Sequence, residues 1–544
     1  MRKILFSLTF LFSLHAVAVS LVRGPYLQSL TNNSVKIMWR TSDSTKSILR
    51  YGNSPTSLTN IISDTIRKKN HIVKISGLNA KSKYFYSVGF DTVTLAGGND
   101  QHHFITAPLI GDTSGFKFWV TGDFGGGNNE QIKVRCWFEN YLQGNVVDGW
   151  LWLGDNVYND GTDAEYTAKV FDKYYGYDSI FRFLNFYPIP GNHDYNSVNR
   201  FDNPIYHKGP YFDMVEVFKN AEMGGLPSNT ENYYSYDYGN THFIALNSEL
   251  YQYIFNDLPD VYKTWLTNDI KNSTKKFKVA YWHQPPYSKG SHDSDDAWEL
   301  FMGSMRQRIV PILEKYGVDL VLCGHSHVYE RSYLINKHTG FSSTFNRATM
   351  LVDSSSGNPD SNKTYIKYTY GANKDKGTVY AVVGNSGKHE PENGKMHAVM
   401  YKKYAADKGV GSMILEVKGN TLLCSYYKEN GELFDRFSIV KRDSTSVILG
   451  TKSNSNVTDL KVFPNPFANS INIEFEAKNN QPTTIQLQNI IGQLQIETVW
   501  RGNSIVGNNK IEIKNLNQLP NGEYIISVTQ QDEIVSEKIL KIQN

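Results

Sequence analysis

The stretch Leu320–Arg331, "LVLCGHSHVYER", carries the features that decide the fold and the candidate site of this chain. It begins as a short apolar run, which is typical of a buried strand, and the run stops at Gly324. Two histidines follow, His325 and His327. Because side chains two positions apart in an extended segment point the same way, both imidazoles can address one point past the strand end. The pair alone does not distinguish a metal site from two solvated or hydrogen-bonded histidines.

Several other apolar runs of the central region also end at polar residues. They read "FKFWVTGD", "DGWLWLGD", "FYPIPGNHD" and "KFKVAYWH", and helical segments lie between the runs. Strands that alternate with helices predict a layered α/β domain, in which ligands gather outside the carboxyl ends of the strands. Oxygen and imidazole donors at so many strand ends indicate one metal site with several ligands. These donors are Asp123, Asp155, Tyr158, Asn192, His193, His283, His325 and His327.

The pattern of strands divides the chain into domains. Residues 21–110 contain short alternating runs such as "SVKIMWRT" without helices, which predicts an N-terminal β-sandwich. The α/β domain is expected over residues 114–441. A polar, turn-rich stretch at 442–458 is the expected linker, and the all-β pattern of 459–544 predicts a second small β-sandwich.

Composition narrows the possible functions. The first 20 residues combine two basic residues, an apolar stretch and a small-residue cleavage pattern, so we expect a signal peptide and no transmembrane span. The net charge of the 544 residues is only +3, and there is no Lys/Arg block of the kind that marks a nucleic-acid-binding surface. Three cysteines are too few for a disulfide framework.

The order of the strand-end motifs resembles that of the metallophosphoesterases, and specifically of the purple acid phosphatases. The motifs are "GDFG" from Gly122, "GDNVY" from Gly154, "GNHD" from Gly191, the histidine of "AYWH" at 283 and "GHSHVYER" from Gly324. The resemblance covers residues 22–441. It implies a fibronectin-like N-terminal sandwich and a central αββα domain with two packed mixed sheets.

The resemblance also implies a dinuclear metal centre. One ion would be bound by Asp123, Asp155, Tyr158 and His327, the other by Asn192, His283 and His325, with Asp155 bridging both. Two carboxylates and a phenolate favour Fe(III), whereas an amide and two imidazoles suit a divalent Zn, Fe or Mn ion. The implied activity is acid phosphatase action on small phosphomonoesters, with hydroxide held by the metals as the nucleophile.

Two histidines are candidates for catalysis. His292, in the loop after His283, matches the position from which the family protonates the leaving group; the alternative is a surface histidine. Related sequences often have a second histidine where this chain has Asp293, so the acid is not settled by the motif. His193 resembles the residue that binds phosphate or orients solvent. Asp194 replaces the commoner Glu, and the simplest expectation is that it hydrogen-bonds His193.

The C-terminal region resembles the sorting domain of the type IX secretion system of Bacteroidota. The matching features are "VFPNPF" from Val462, "NIIGQ" from Asn489, "LPNGEYIISV" from Leu519 and the basic end "EKILKIQ". This resemblance implies secretion or cell-surface attachment with the type IX machinery as a partner; a generic carbohydrate-binding or stalk sandwich is the alternative. For the whole chain, the rival functions are a phosphodiesterase or nucleotidase, and a surface binding protein with a structural metal site.

Overall fold

The computed structural model describes residues 18–174, 180–198, 208–250, 260–369, 371, 373–390, 394–404, 409–442, 456–489, 494–530 and 533–542. The expected signal peptide and linker lie largely outside these residues. The chain divides into two compact units, one comprising residues up to Tyr365 together with Asp375–Val440, the other comprising Ile366–Lys374 and Lys441–Asn544. Within the described ranges, no helix is long and apolar enough to cross a membrane.

The N-terminal domain is β-rich, as predicted. Its strands are β1 (Leu21–Gln28), β2 (Ser34–Gly52), β3 (Asn60–Ser76), β4 (Lys83–Phe90), β5 (Val93–Gly97) and β6 (His103–Ile105). The long strand β2 pairs with β1 and β3 over its first half and with β3 and β4 over its second half, so all six strands belong to one hydrogen-bonded network. The alternating residues Val35, Ile37 and Trp39 of β2 are buried in its core.

Sixteen further strands lie in the described residues of the central domain. They are β7 (Phe116–Thr121), β8 (Gly149–Leu153), β9 (Phe186–Ile189), β10 (Tyr234–Tyr238), β11 (Thr241–Ala245), β12 (Phe277–Tyr281), β13 (Leu320–Cys323), β14 (Tyr329–Ser332), β15 (Leu334–Ile335), β16 (Leu351–Asp353), β17 (Tyr365–Tyr368), β18 (Val379–Val383), β19 (Met400–Tyr404), β20 (Gly411–Lys418), β21 (Thr421–Lys428) and β22 (Leu433–Arg442).

Two seven-stranded mixed sheets form the centre of this domain, in the orders β17-β22-β21-β20-β7-β8-β9 and β10-β11-β12-β13-β18-β14-β19. Strands β7, β8 and β9 are parallel in the first sheet, and β11, β12, β13 and β18 are parallel in the second. The sheets pack face to face through aromatic rings: the ring centroids of Phe118 and Phe243 are 5.2 Å apart, and those of Tyr187 and Tyr236 are 4.7 Å apart. This packing brings the carboxyl ends of both parallel sets to one edge.

Helices flank the strands of the central domain. They are α1 (Asn129–Leu142), α2 (Asp163–Glu165) with its π-helical continuation Tyr166–Phe171, α3 (Pro210–Met214), α4 (Asp260–Asn272), α5 (Leu300–Ser304), the π-helical turn Met305–Ile309, α6 (Val310–Lys315) and α7 (Arg347–Met350). Helix α1 stacks Phe138 on Trp119 of β7, and Asp269 of α4 contacts His242 of β11. The predicted layered α/β domain with two mixed sheets is therefore confirmed.

The C-terminal unit contains a two-sheet β-sandwich, as predicted. Its strands are β23 (Val457–Phe463), β24 (Ile471–Ala477), β25 (Pro482–Asn489), β26 (Leu494–Asn503), β27 (Gly507–Ile513), β28 (Gly522–Gln530) and β29 (Glu533–Lys541). The sheet orders are β23-β24-β27 and β26-β25-β28-β29. Alternating apolar residues of both sheets, including Ile473, Phe475, Ile485 and Leu487, form its core.

Candidate metal centre

The turns after three parallel strands hold their polar residues in a left-handed backbone conformation. The φ angles are 57° for Asp123 after β7, 46° for Asp155 after β8 and 67° for His325 after β13. Residues other than glycine rarely adopt positive φ, and such residues tend to cluster at functional sites. Three of them at one edge of the domain distinguish these turns from ordinary strand-to-helix connections.

Glycines beside these turns let the polar side chains approach the backbone. A Cβ atom on Gly191 would lie 2.4 Å from Oδ1 of Asp155, and one on Gly324 would lie 2.4 Å from Oδ2 of Asp123. Both distances are far shorter than van der Waals contact. The glycines of the "GNHD" and "GHSH" motifs are therefore required sterically, since any larger residue would displace a buried carboxylate.

Asp123, Tyr158 and His327 form one cluster of donors. The Tyr158 hydroxyl donates a hydrogen bond of 3.0 Å to Oδ1 of Asp123 and lies 3.2 Å from Nε2 of His327. The other oxygen of Asp123 accepts a 2.7 Å hydrogen bond from the backbone N–H of His325. All three side chains are buried. Their oxygen and nitrogen atoms thus converge on one small volume.

Asn192, His283 and His325 form a second cluster around Asp155. His283 donates from Nδ1 to the carbonyl oxygen of Leu153 at 2.8 Å, which directs Nε2 to within 3.2 Å of Oδ1 of Asn192 and 3.3 Å of Oδ1 of Asp155. Ligating atoms of Asp155, His283 and His325 lie within 4.8 Å of one another. Burial, together with nearby His292, lowers the pKa of His325 to about 4, so its neutral, metal-binding form predominates near neutral pH.

The charges of these clusters fit bound cations. Asp123 and Asp155 are fully buried, and in the part of the chain that the structure describes neither has a Lys or Arg ion-pair partner. Against the effect of burial, Asp155 raises the pKa of His283 to about 10, and Asp123 with Glu390 raises that of His327 to about 9. Protons on the two imidazoles thus compensate the carboxylates, and metal ions would displace those protons.

The candidate catalytic residue His193 lies beside the second cluster. Its Nδ1 lies 2.7 Å from the carbonyl oxygen of Asn159, so Nδ1 is the protonated nitrogen and donates a hydrogen bond to that oxygen. Its Nε2 lies 3.9 Å from Oδ2 of Asp155, and its ring packs on Tyr158 with centroids 4.5 Å apart. The half-buried ring therefore presents Nε2 to the metal-binding residues.

The other candidate, His292, also belongs to the site. Its ring stacks on that of His325 with centroids 4.0 Å apart, and its Nδ1 lies 2.6 Å from Oε1 of Glu299. Oε2 of Glu299 lies 3.6 Å from Nε2 of His325. Burial opposes ionisation of Glu299, but its hydrogen bonds with the two histidines outweigh that effect and hold its pKa below the ordinary value.

Two acidic residues of the site were not found from the sequence. Glu299 contacts His292 and His325, and Oε2 of Glu390 lies 3.1 Å from Nδ1 of His327. Glu299 lies just before an apolar helical run and Glu390 lies in a turn-rich stretch, so neither follows a predicted strand. Only their distance to the histidines identifies them.

Asp194 differs from the expectation that it hydrogen-bonds His193. Its carboxylate instead accepts hydrogen bonds from the backbone N–H of Gly191 at 2.7 Å, from the backbone and side chain of Asn156, and from the Tyr166 hydroxyl. Burial and the charge of Asp155 raise its pKa to about 7. Asp194 therefore links the loops that carry Asp155 and Asn192, and the His193 ring instead donates a hydrogen bond to the Asn159 carbonyl oxygen.

Three regions of the chain match known protein families. Residues 116–329 match the calcineurin-like phosphoesterases, residues 24–106 match the purple acid phosphatase N-terminal domain, and residues 461–543 match the secretion system C-terminal sorting domain. The fold and the site thus define a metallophosphoesterase domain. A region similar to the purple acid phosphatase N-terminal domain precedes this domain, and a region similar to a secretion sorting domain follows it.

Two relatives and one solved structure to which the chain is similar are purple acid phosphatases. Purple acid phosphatase 15 of Arabidopsis thaliana is 27% identical over 280 residues, which are 48% of this chain and 49% of the relative. A purple acid phosphatase of Glycine max is 26% identical over 48% of this chain and 52% of its own length. The chain therefore matches about half of each plant protein. The solved structure of purple acid phosphatase PPD1 from yellow lupin (Lupinus luteus) seeds shares the fold, with a TM-score of 0.56, 17% identity and coverage of 77% of this chain and 74% of that one.

Proposed function

We propose that this protein is a secreted acid phosphatase that hydrolyses phosphomonoesters at a dinuclear centre of Fe(III) and a divalent ion. The observation that carries the proposal is the convergence of seven oxygen and imidazole donors. Two of them are buried carboxylates that have no Lys or Arg counter-ion among the described residues. Buried charges without such partners are stabilised by bound cations.

The two clusters would bind different ions. Asp123, Tyr158 and His327, with Asp155, offer two carboxylates and a phenol, which favour a hard trivalent ion. Asn192, His283 and His325 offer an amide oxygen and two imidazoles, which suit Zn, Fe or Mn as the divalent ion. Asp155 is assigned as the bridging ligand because its carboxylate interacts with both the Tyr158 hydroxyl and His283.

When bound, the metals would supply Lewis-acid chemistry, which would polarise the phosphate ester and make water a stronger nucleophile near neutral pH. The protein residues position the ester and move protons. His193 keeps its Nδ1 proton on the carbonyl oxygen of Asn159, so Nε2 is the atom available to bind a phosphate oxygen or orient solvent. Its contact with Tyr158 and Asp155 keeps the ring at the centre.

His292 is assigned as the proton donor to the leaving alkoxide. Its Nδ1–H donates to Glu299, which fixes the ring and leaves Nε2 as the atom that can pass a proton to the leaving group. The stacking contact with His325 holds the His292 ring beside the second cluster. Glu299 would therefore orient the acid, as a carboxylate orients the histidine of a catalytic triad.

Features of both terminal regions, a signal-peptide pattern and a sorting domain, support the proposal that the protein is exported. The sorting domain at 461–543 supports passage through the type IX system to the cell surface or beyond, with that machinery as a partner. The proposed boundaries are a signal peptide at 1–20, an N-terminal domain at 21–110, a catalytic domain at 114–441, a linker at 442–458 and the sorting domain at 459–544.

A substrate panel tests this function. Purified protein is assayed near pH 5 and pH 7 with aryl and alkyl phosphomonoesters, nucleotides and phosphodiesters. Preferential turnover of simple monoesters is expected. A preference for diesters or nucleotides would show that the protein is a phosphodiesterase or a nucleotidase. Metal binding without any turnover would favour a binding protein with a structural metal site.

A further inference from the structure

A short helix of the central domain supports the loops that carry the candidate metal ligands. We call Asp163–Phe171, made of α2 and its π-helical continuation, the site helix. The hydroxyl of its residue Tyr166 donates to Asp194, and Asp194 accepts from the backbone N–H groups of Gly191 and Asn156. The helix thereby holds the backbone next to both Asp155 and Asn192.

The same helix also holds the loop of Tyr158. Nζ of Lys169 donates to the carbonyl oxygen of Tyr158. The carboxylate of Glu165 accepts hydrogen bonds of 2.8 and 3.0 Å from the backbone N–H groups of Asn159 and Asp160. Three of the proposed ligands, Asp155, Tyr158 and Asn192, therefore depend on the position of one short helix, which is too short to be stable by itself.

The N-terminal domain holds this helix from the other side. Nη2 of Arg23, on β1, donates to the Asp163 carbonyl oxygen at 3.0 Å, to Oδ1 of Asp163 at 3.1 Å and to the Thr167 hydroxyl at 2.6 Å. Its guanidinium lies over the ring of Phe171, 4.8 Å from the centroid. Arg40, on β2, pairs with the other carboxylate oxygen of Asp163.

Of the two arginines that contact the site helix, Arg23 makes the stronger interaction. The side chain of Arg23 is 5% exposed and that of Arg40 is 29% exposed, so the Arg23 guanidinium is better shielded from solvent, although the Asp163 side chain itself is 44% exposed. A planar guanidinium that binds a carboxylate and covers an aromatic ring is not replaced by lysine without loss. Removal of Arg23 would leave Asp163 held by Arg40 alone.

We infer that Arg23 is a positioning residue for the metal centre: through Asp163 and the site helix it holds the loops that carry Asp155, Tyr158 and Asn192. The N-terminal domain is then part of the metal-binding apparatus and not an independent module. This inference rests on the proposed metal assignment. Among the described residues the side-chain hydrogen bonds and the ring contact of Arg23 are with Asp163, Thr167 and Phe171 of the site helix, so it acts on the arrangement of the proposed ligands.

The test compares Arg23→Gln with a matched control, Lys36→Gln. Lys36, on β2, also belongs to the N-terminal domain and makes a 2.6 Å ion pair with Glu216 of the central domain, but its partner is not in the site helix. Tyr166→Phe tests the link inside the central domain. For each variant, Zn²⁺ affinity is measured by competition with a chelator, together with thermal unfolding of the metal-free protein, kcat and KM.

Arg23→Gln and Tyr166→Phe are expected to lower Zn²⁺ affinity by about tenfold or more and to lower kcat more than they change KM, because residues behind metal ligands commonly have effects of that size. Lys36→Gln is expected to retain the wild-type affinity. Equal affinities for Arg23→Gln and Lys36→Gln would overturn the inference, whatever their unfolding temperatures. If Arg23→Gln does not fold, Arg23→Lys and Arg40→Gln are compared with Lys36→Gln on the same criterion. A wild-type protein that binds Zn²⁺ without hydrolysing esters would contradict the proposed function and leave the affinity comparison intact.

Discussion

The hydroxyl of Tyr158 lies 3.0 Å from Oδ1 of Asp123 in a fully buried environment. Burial, Asp123 and Asp155 all raise the pKa of this phenol well above its ordinary value. A phenolate at this position therefore requires a cation that outweighs two carboxylates. Trivalent iron has that charge and forms coloured phenolate complexes. Iron bound beside Tyr158 and Asp123 should therefore give the protein a visible absorption band.

Replacing Tyr158 by phenylalanine should remove the visible absorption of the iron-loaded protein. The change deletes the phenolate ligand while it preserves the ring that packs on His193. Absorption spectroscopy at matched iron content measures the effect. Tyr211→Phe is the control, because Tyr211 is buried and its hydroxyl has no hydrogen-bond partner among the described residues. Retention of the band in Tyr158→Phe would show that another group produces the colour.

Asp155→Asn should abolish hydrolysis while the fold is preserved. The substitution keeps the shape of the side chain but removes the charge that the two clusters share. A loss of about 4 kcal/mol of transition-state stabilisation, roughly a thousandfold in kcat/KM, is expected from the disruption of metal-ion catalysis. Steady-state kinetics and circular dichroism measure activity and fold. Near-normal turnover in a folded variant would refute the assignment of Asp155 as bridging ligand.

His292→Ala should slow alkyl phosphates more than activated aryl phosphates, because only a poor leaving group needs a proton. A differential effect of about 10²-fold is expected from the loss of general-acid catalysis. The measurement is kcat for the two ester classes. Glu299→Gln should show the same preference to a smaller degree, since it retains His292 but weakens its 2.6 Å contact. Equal losses on both classes would exclude His292 as the acid.

The buried residue His242 should make the stability of the protein depend on pH. Burial alone would lower its pKa, but hydrogen bonds of 2.8 and 2.9 Å to Asp237 and Asp269 outweigh burial and raise the pKa to about 9. Lys275, 3.5 Å from Asp237, is the nearby cation. Because the folded-state pKa lies above the unfolded value of 6.5, the stabilisation is fully present below pH 6.5 and is lost as pH rises through 9.

Denaturant unfolding at pH 6 and pH 10 measures this dependence. Between pH 6 and pH 10, the decrease in unfolding free energy should be about 3 kcal/mol larger for the wild type than for His242→Gln. The variant keeps a side chain that can donate to one of the carboxylates. Identical pH dependence in the two proteins would show that His242 does not carry the proton.

The strand-end part of the site could be predicted from the sequence because its geometry follows from the sheets. Asp123, Asp155, His283 and His325 each follow a parallel strand within two residues, so the order of strands brings them together. The α/β alternation and the C-terminal sandwich could be anticipated because their apolar periodicity is local, whereas the two packed sheets were implied only by the family resemblance.

The supporting contacts could not be predicted in this way. Glu299 and Glu390 reach the histidines from loops, and Arg23 reaches Asp163 across 140 positions of sequence. Asp194 binds the Asn156 and Gly191 backbone because the turn that follows Asn192 directs its carboxylate into the interior. Such contacts depend on loop conformation and domain packing, which have no periodic signature.

Metal analysis of the purified, active protein by mass spectrometry, normalised to protein concentration, tests the dinuclear centre most directly. Two ions per chain are expected, one of them iron and the other zinc, iron or manganese, with hydrolysis lost when the ions are removed and recovered when both are restored. A fully active protein that contains a single ion, or zinc without iron, would contradict the dinuclear Fe(III)–divalent assignment.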